Sequence, residues 1–355
     1  MKLNTKLNLK SDRVLISAKV ARLTLKTILS NAGCNKREII SVSDHLVDTS
    51  LCGMESHGLM RILEYIRQYN NGYMQVNRSA TIKKNKHGGI EINGNGGIGI
   101  PTMTLAYKKG MSLANKLGIS ALSIRDVGHT GRHGSFADIA ASQGFLTILL
   151  GGGNRQKWRQ VAPFGGSKAI LPTNPYCIGI PGGSRGPVIL DFATSKISGG
   201  WIYAAKSAGA LLPTDCIIDS KGKPSRNPDD YFNQGAILPA GEQKGYALAV
   251  IAELIGEALL GPATTECNWL LITVKANQWR SASRFKVVAE EILNELRQSP
   301  TLPNVEKVEI PGEREREHRL LSKNKIAIPI KTWTEITKLL ERNKSFKERK
   351  QINKI

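Results

Sequence analysis

Apolar positions recur at helical spacing from Ser17, through Val20, Leu23, Leu25, Ile28 and Leu29, and Gly33 closes the segment. A second helix is expected over Lys36–Thr49. A third should carry the face Leu59, Ile62, Leu63, Ile66 and Tyr69, with Ser56 as its N-cap. Residues up to about Leu9 read as a disordered tail. Further on, an Ala/Lys/Leu-rich helix over Thr102–Leu117 leads into a strand, Ile119–Ile124. A helix over Phe136–Gln143 stops at Gly144, and the run Phe145–Leu150 is strand-like. After Ser195 the pattern is loop-rich, with turn residues at Asp219-Ser-Lys-Gly222 and Asn227-Pro228. The strongest helix follows Leu238-Pro-Ala-Gly-Glu-Gln-Lys-Gly-Tyr246. Its expected buried stripe is Leu248, Ile251, Leu254, Ile255, Ala258 and Leu259, and Gly261-Pro262 ends it. A strand over Trp269–Val274, a helix over Phe285–Arg297, a strand over Val305–Ile310 and a helix over Thr332–Arg342 complete the chain. Strands and helices alternate throughout, so the fold class is α/β, or mixed α+β.

At 355 residues the chain can bury a sizeable core in more than one lobe. The formal net charge of +21 changes the picture more than the hydrophobic content does. Such an excess suits a nucleic acid, a membrane surface or an anionic small molecule. The basic residues are spread out, with denser groups at the start (Lys2, Lys6, Lys10, Arg13) and the end (Lys347, Arg349, Lys350, Lys354). No aromatic residues alternate with them as a single-strand stacking platform requires. Cys34, Cys52, Cys177, Cys216 and Cys267 are far apart, which argues against a disulfide framework or a structural zinc site. Neither a signal peptide nor a membrane span is read, so the expected compartment is the cytoplasm.

Candidate chemistry concentrates between Asp126 and Ser195, where polar residues end apolar runs beside glycines. His129 and His133 follow a strand end, with Asp126 three residues before the first. On a helix that triplet would suit zinc and a hydrolase. In a glycine-rich loop, His129 suits acid–base work instead. His57 and Arg61 are four apart and would share a helical face. Gly94-Asn-Gly-Gly-Ile-Gly99 fits a dinucleotide-binding pattern, but the strand before it is short and alternating, so a tight turn into the helix is the expected reading. Lys244 opens the strongest helix, where backbone N–H groups and the helix dipole favour an anion.

Seven segments occur in an order and spacing that resemble the malate/L-lactate dehydrogenase family, which also holds ureidoglycolate, sulfolactate and diketogulonate enzymes. They are Glu55-Ser-His-Gly58 with Arg61, Gly128-His-Thr-Gly131, Ala162-Pro-Phe-Gly-Gly166, Thr173-Asn-Pro175, Leu190-Asp-Phe-Ala-Thr-Ser195, Gln243-Lys-Gly-Tyr246 and Pro311-Gly-Glu-Arg314. The resemblance implies a non-Rossmann fold specific to the family that binds NAD or NADP, with helical N- and C-terminal parts, and a homodimer. It implies a helical region over 1–78 packed with 315–355, a cofactor-binding and catalytic domain from 79–125 and 235–314, and a second lobe over 126–234. It implies hydride transfer at C2 of a small 2-hydroxy or 2-oxo acid, most closely of malate or (S)-lactate type. His129 would accept the hydroxyl proton and His57 would lie against the substrate. A Ser56, His57 and Asp191 relay is a further family role. Arg61 would grip the carboxylate, and Thr173 and Asn174 would line the cleft. The cofactor would touch Asp191, Phe192, Ala193, Thr194, Ser195, Gln243, Lys244, Gly312, Glu313 and Arg314. No membrane or metal is implied. A basic nucleic-acid-binding protein and a zinc hydrolase using Asp126, His129 and His133 are the competing readings. Glu55, Ser167, Pro172 and Gln243 depart from the family's usual residues.

Overall fold

A computed structural model describes residues 12–207 and 209–340. The N-terminal part runs β1 (Arg13–Ser17), α1 (Ala18–Asn31), α2 (Lys36–Leu51) and α3 (Arg61–Asn70). Next come β2 (Thr81–Lys84), β3 (Ile90–Gly97), α4 (Gly99–Leu117), β4 (Ile119–Val127), α5 (His133–Ser142) and β5 (Phe145–Gly152). These lead to β6 (Pro175–Gly183), β7 (Gly186–Ala193), α6 (Gly199–Ser207), β8 (Ile217–Ile218), β9 (Pro224–Ser225), α7 (Pro228–Phe232) and β10 (Ala236–Ile237). Helix α8 (Gln243–Glu253) continues into a π turn, Leu254–Leu259. It is followed by β11 (Asn268–Lys275), α9 (Ala282–Arg297), α10 (Glu313–Leu321) and β12 (Lys325–Pro329).

A seven-stranded sheet in the order β2-β3-β4-β11-β5-β6-β7 forms the centre. Only β3 and β4 pair in parallel, across the α4 crossover; the other neighbours are antiparallel. These directions bring the ends of β3, β4, β5 and β7 and the starts of β6 and β11 to one edge of the sheet. Central strands are covered on both faces: Leu271 and Thr273 of β11 and Leu149 and Thr147 of β5 are fully buried on one, and Leu150 packs with Ala252 of α8 on the other. The main core runs continuously from α1, α2 and α3 through α4 and α5 to these strands. Chain ends meet in a ribbon, β1 against β12. A smaller apolar cluster, including Ile197, Ile202, Leu212 and Ile217, gathers α6, α7 and the three-stranded β10-β8-β9 sheet.

Several expected features take a different form. Ser56 does not cap α3: it lies in a single 3-10 turn, Glu55–His57, and the helix starts at Arg61 without a side-chain cap. Within α1, Ser17 is the N-cap and Leu25, Ile28 and Leu29 are buried, but Val20 and Leu23 face outward. In the α8 segment the expected stripe is inverted. Ile251, Leu254 and Leu259 are 50%, 55% and 67% exposed, whereas Ala249, Ala252 and Gly256 are buried. The cause is close approach to β5, since a Cβ on Gly256 would lie 2.1 Å from the Gly152 carbonyl carbon. Small residues therefore face the sheet and large ones face away. Residues 305–310 form no strand, and α6 occupies part of the stretch expected to be loop. A helix over 330–340 meets the expectation for the C-terminal region up to the last described residue. The expected N-terminal tail and the basic C-terminal end lie outside the described residues.

Candidate active site

At the sheet edge, the loop after β4 carries His129. The glycine-rich turn between β3 and α4 lies against it: the Gly99 N–H donates to the His129 carbonyl oxygen at 3.1 Å, and the Gly128 N–H to the Gly97 carbonyl at 2.8 Å. The Gly99 N–H thus serves the histidine loop instead of a phosphate. Gly131 has a φ of +78°, and any Cβ there would lie 2.2 Å from His45 Nε2. The loop can turn only with glycine at that position.

Three elements converge on the imidazole. Tyr65 of α3, fully buried, places its hydroxyl 2.7 Å from His129 Nδ1, and the Gly131 N–H donates to the same nitrogen at 3.2 Å. The Tyr65 hydroxyl can donate to Nδ1 or accept from it, so the neutral ring can carry its proton on either nitrogen. His57, from the 3-10 turn, stands with its ring centroid 5.5 Å from that of His129. Ser56 Oγ lies 3.0 Å from His57 Nδ1, and Arg61 donates from Nε to the Ser56 carbonyl at 2.8 Å. Nη1 of Arg61 is held by the Glu64 carboxylate, while Nη2 makes no hydrogen bond among the described residues. Burial pushes both imidazoles well below their usual pKa, and the Arg61 guanidinium adds to the effect. Both rings are therefore neutral at physiological pH.

The segments expected to hold a cofactor meet along the end of β7. Thr194 donates its N–H and its hydroxyl to the Thr173 carbonyl, at 2.9 and 3.0 Å. Ala240, four residues before Lys244, donates to the Thr194 carbonyl at 2.8 Å, and Ile189 donates to the Pro311 carbonyl at 3.0 Å. Gln243 and Lys244 are exposed on the first turn of α8. Asp191 and Phe192 are exposed and Ala193 half-buried, while Thr194 and Ser195 turn inward. Gly312 begins α10 with a φ of +92°, Glu313 is paired with Arg297 at 2.6 Å, and Arg314 with Glu315 at 3.0 Å. Asn174, fully buried, donates to Glu253 at 2.6 Å and leaves its Oδ1 without a partner.

The sequence signature of the malate/L-lactate dehydrogenase family matches residues 16–337. The chain belongs to that family. Hydroxycarboxylate dehydrogenase B of Escherichia coli strain K12 is 33% identical over 247 residues, covering 68% of this chain and 67% of that protein. L-sulfolactate dehydrogenase of Methanothermobacter thermautotrophicus is 29% identical over 288 residues, covering 78% and 83%. A solved dehydrogenase from Sinorhizobium meliloti superposes with a TM-score of 0.82 at 26% identity, over 93% of this chain and 99% of that one. As a member of the malate/L-lactate dehydrogenase family, the chain is an oxidoreductase of 2-hydroxy acids.

Within this family member, Asp126, His129 and His133 do not converge. Asp126 accepts from the Thr264 hydroxyl at 2.6 Å, and His129 turns to Tyr65. His133 Nε2 lies 2.7 Å from Thr130 Oγ1, with its ring edge-on to Trp269 at 4.4 Å. No metal-ligating cluster occurs among the described residues. Ser56 and His57 are joined, but no hydrogen bond links Asp191 to His57; its carboxylate takes the Gly134 N–H at 2.7 Å, at the start of α5. Tyr65 and Glu64 were not anticipated. Tyr65 lies four residues after Arg61, so helical spacing from the arginine was the available signal.

Proposed function

We propose that this dehydrogenase transfers hydride between a nicotinamide cofactor, NAD or NADP, and C2 of a small 2-hydroxy or 2-oxo acid of the malate or lactate kind. The observation that carries this reading is the neutral His57–His129 pair beside Arg61 at the sheet edge. The surroundings suit a dinucleotide. Asn174 offers a buried oxygen without a partner, and Lys244 and the exposed start of α8 supply positive potential for a pyrophosphate. Asp191 to Ala193, Gln243, Lys244 and the Gly312–Arg314 turn would hold the cofactor, with Thr194 and Ser195 shaping the wall behind. When bound, the nicotinamide supplies the hydride chemistry.

The chain's own residues do the remainder. Arg61 orients the substrate carboxylate through the guanidinium edge that includes Nη2. His129 meets the substrate oxygen on C2 through Nε2: as a hydroxy acid loses hydride, Nε2 takes the hydroxyl proton while Nδ1 keeps its own proton toward Tyr65, and in reduction the Nε2 proton returns to the oxygen, leaving the ring neutral. Tyr65, at Nδ1, fixes the ring and accepts from it when both nitrogens are protonated. His57, set by Ser56, closes the other side against water. The fold supports a homodimer whose partner covers the apolar outer face of the α8 segment at Ile251, Leu254 and Leu259. A cytoplasmic site fits five buried cysteines, none of them in a disulfide.

The test offers NADH and NADPH separately with pyruvate, oxaloacetate and longer 2-oxo acids. His129→Ala and His57→Ala should each lose about 100-fold or more in kcat while keeping the wild-type circular dichroism spectrum. Wild-type rates in both variants would remove the histidines from the mechanism.

A further inference from the structure

Glu253, the last residue of α8, is 7% exposed, and its carboxylate stands in no ion pair among the described residues. Arg155 pairs with Glu257 instead, at 3.0 Å. A carboxylate buried without a cation is costly unless N–H donors meet its oxygens. Two do. The Gly153 N–H faces both oxygens, at 3.1 and 3.2 Å, and the Asn174 amide donates from Nδ2 to Oε1 at 2.6 Å. Close backbone packing delivers the carboxylate to this place. A Cβ on Gly152 would lie 2.4 Å from the Ala252 carbonyl oxygen and 2.8 Å from Glu253 Oε1.

The two donors differ in kind. A backbone N–H can only donate, whereas Asn174 carries a donor end and an acceptor end on one flat group, and its neighbours decide which end faces them. Nδ2 meets Glu253 Oε1 and, more weakly, the Gly151 carbonyl at 3.4 Å; both are acceptors. Turning the amide over would set lone pairs against lone pairs. Its Oδ1 therefore diverges from both and stays buried without a donor, which is costly until a donor arrives. Asn174 also sits against the segments proposed to hold the cofactor. The Thr173 carbonyl takes the N–H and hydroxyl of Thr194, and Pro175 is the register partner of Ala193. On the other side, Gly153 leads to Asn154, whose amide donates to the Thr265 carbonyl. The Thr265 hydroxyl donates to the Val127 carbonyl, two residues before His129. One carboxylate thus anchors the cofactor wall and, through that chain, the base of the histidine loop.

We propose that Glu253 is a positioning residue that locks the Asn174 amide in one orientation, so that Oδ1 accepts an N–H of the nicotinamide carboxamide. This deepens the dehydrogenase reading above and rests on it. The carboxamide is favoured over the adenine amine because the network runs to the histidine loop, where the reacting ring must lie. A glutamate suits this task and a glutamine does not. Glutamine would present its own N–H2 either to the Gly153 N–H or to Asn174 Nδ2, and the Asn174 amide can relieve the second clash by turning over. A donor would then face the carboxamide where an acceptor is needed.

The experiment measures Kd by quenching of protein fluorescence, for the preferred reduced cofactor and for its 3-acetylpyridine analogue, in which a methyl replaces the carboxamide N–H2. The proteins are the wild type, Glu253→Gln, Asn174→Asp and the double variant. The wild type should bind the carboxamide form about tenfold more tightly than the analogue. Glu253→Gln should weaken the carboxamide form about tenfold and bring the two affinities together. Asn174→Asp sets two carboxylates against each other and should also weaken binding. In the double variant the introduced amide donates to the introduced carboxylate, an acceptor again faces the cofactor, and the preference should return. A purely structural role would weaken both ligands equally and give no recovery. Equal affinities in the wild type, a preference unmoved by Glu253→Gln, or no recovery in the double variant would each overturn the proposal while leaving the dehydrogenase reading standing. A wild type that binds neither NADH nor NADPH and turns over no 2-oxo acid would overturn that reading, and this inference with it.

Discussion

At the residue scale the chemistry depends on where protons sit. His129 is 8% exposed and flanked by Arg61, so its acid form is disfavoured. In the free enzyme the acid limb of kcat/KM for hydroxy-acid oxidation should therefore fall below pH 6.5, the ordinary imidazole value, leaving the rate flat from there to neutrality. A pH–rate profile with an acid limb above 6.5 would contradict the assigned base. His129, His57 and Arg61 were legible from sequence because imidazole and guanidinium at strand and turn ends are chemically conspicuous. Tyr65 was not, since a tyrosine on a helical apolar face has the signature of ordinary core. Its role arises from a contact across 64 positions of chain.

At the scale of elements, periodicity located most of the longer helices and the strands β4, β5 and β11, but not β6, β7 or α10, and it assigned the wrong face to α8. The rule that large apolar residues point inward fails where a helix lies on glycine-rich sheet backbone. There, Gly152 and Gly256 allow contact that no side chain can match. Gly256→Ala should cost about 1–3 kcal/mol of stability by overpacking, read as a lower thermal midpoint. Leu254→Ala, on the exposed side of the same segment, should leave monomer stability within about 0.5 kcal/mol. Equal losses in the two variants would mean that the packing is not asymmetric. The glycine pattern before α4 shows a similar limit. It matched a phosphate-binding fingerprint, but its Gly99 N–H is taken by the His129 carbonyl and its Gly97 carbonyl accepts from Gly128.

Over the whole molecule, four buried histidines titrate in one direction. Burial lowers the pKa of His45 to about 3 and pushes His57, His129 and His133 below the ordinary value. Below pH 6.5 the unfolded chain takes up protons that these folded sites refuse, so stability falls as the solution becomes more acid. Each refused proton is worth about 1.4 kcal/mol per pH unit. Glu253 and Glu266 act in the opposite sense: burial raises both, and for Glu266 stability is lost as pH rises from about 4.5 to about 7. Two carboxyls do not offset four imidazoles, so melting temperatures should drop steadily from pH 6.5 to 5. An unchanged melting temperature over that interval would mean the histidines are accessible to protons.

The ribbon that joins β1 to β12 also bears on synthesis. Arg13 donates to the Ala327 carbonyl at 2.9 Å and meets Glu55 at 2.7 Å, one residue from the Ser56–His57 pair. Lys325–Pro329 are made about 270 residues after Glu55, so this support for the turn bearing His57 comes late in synthesis. Chains that stop before Lys325 should therefore be inert instead of partly active.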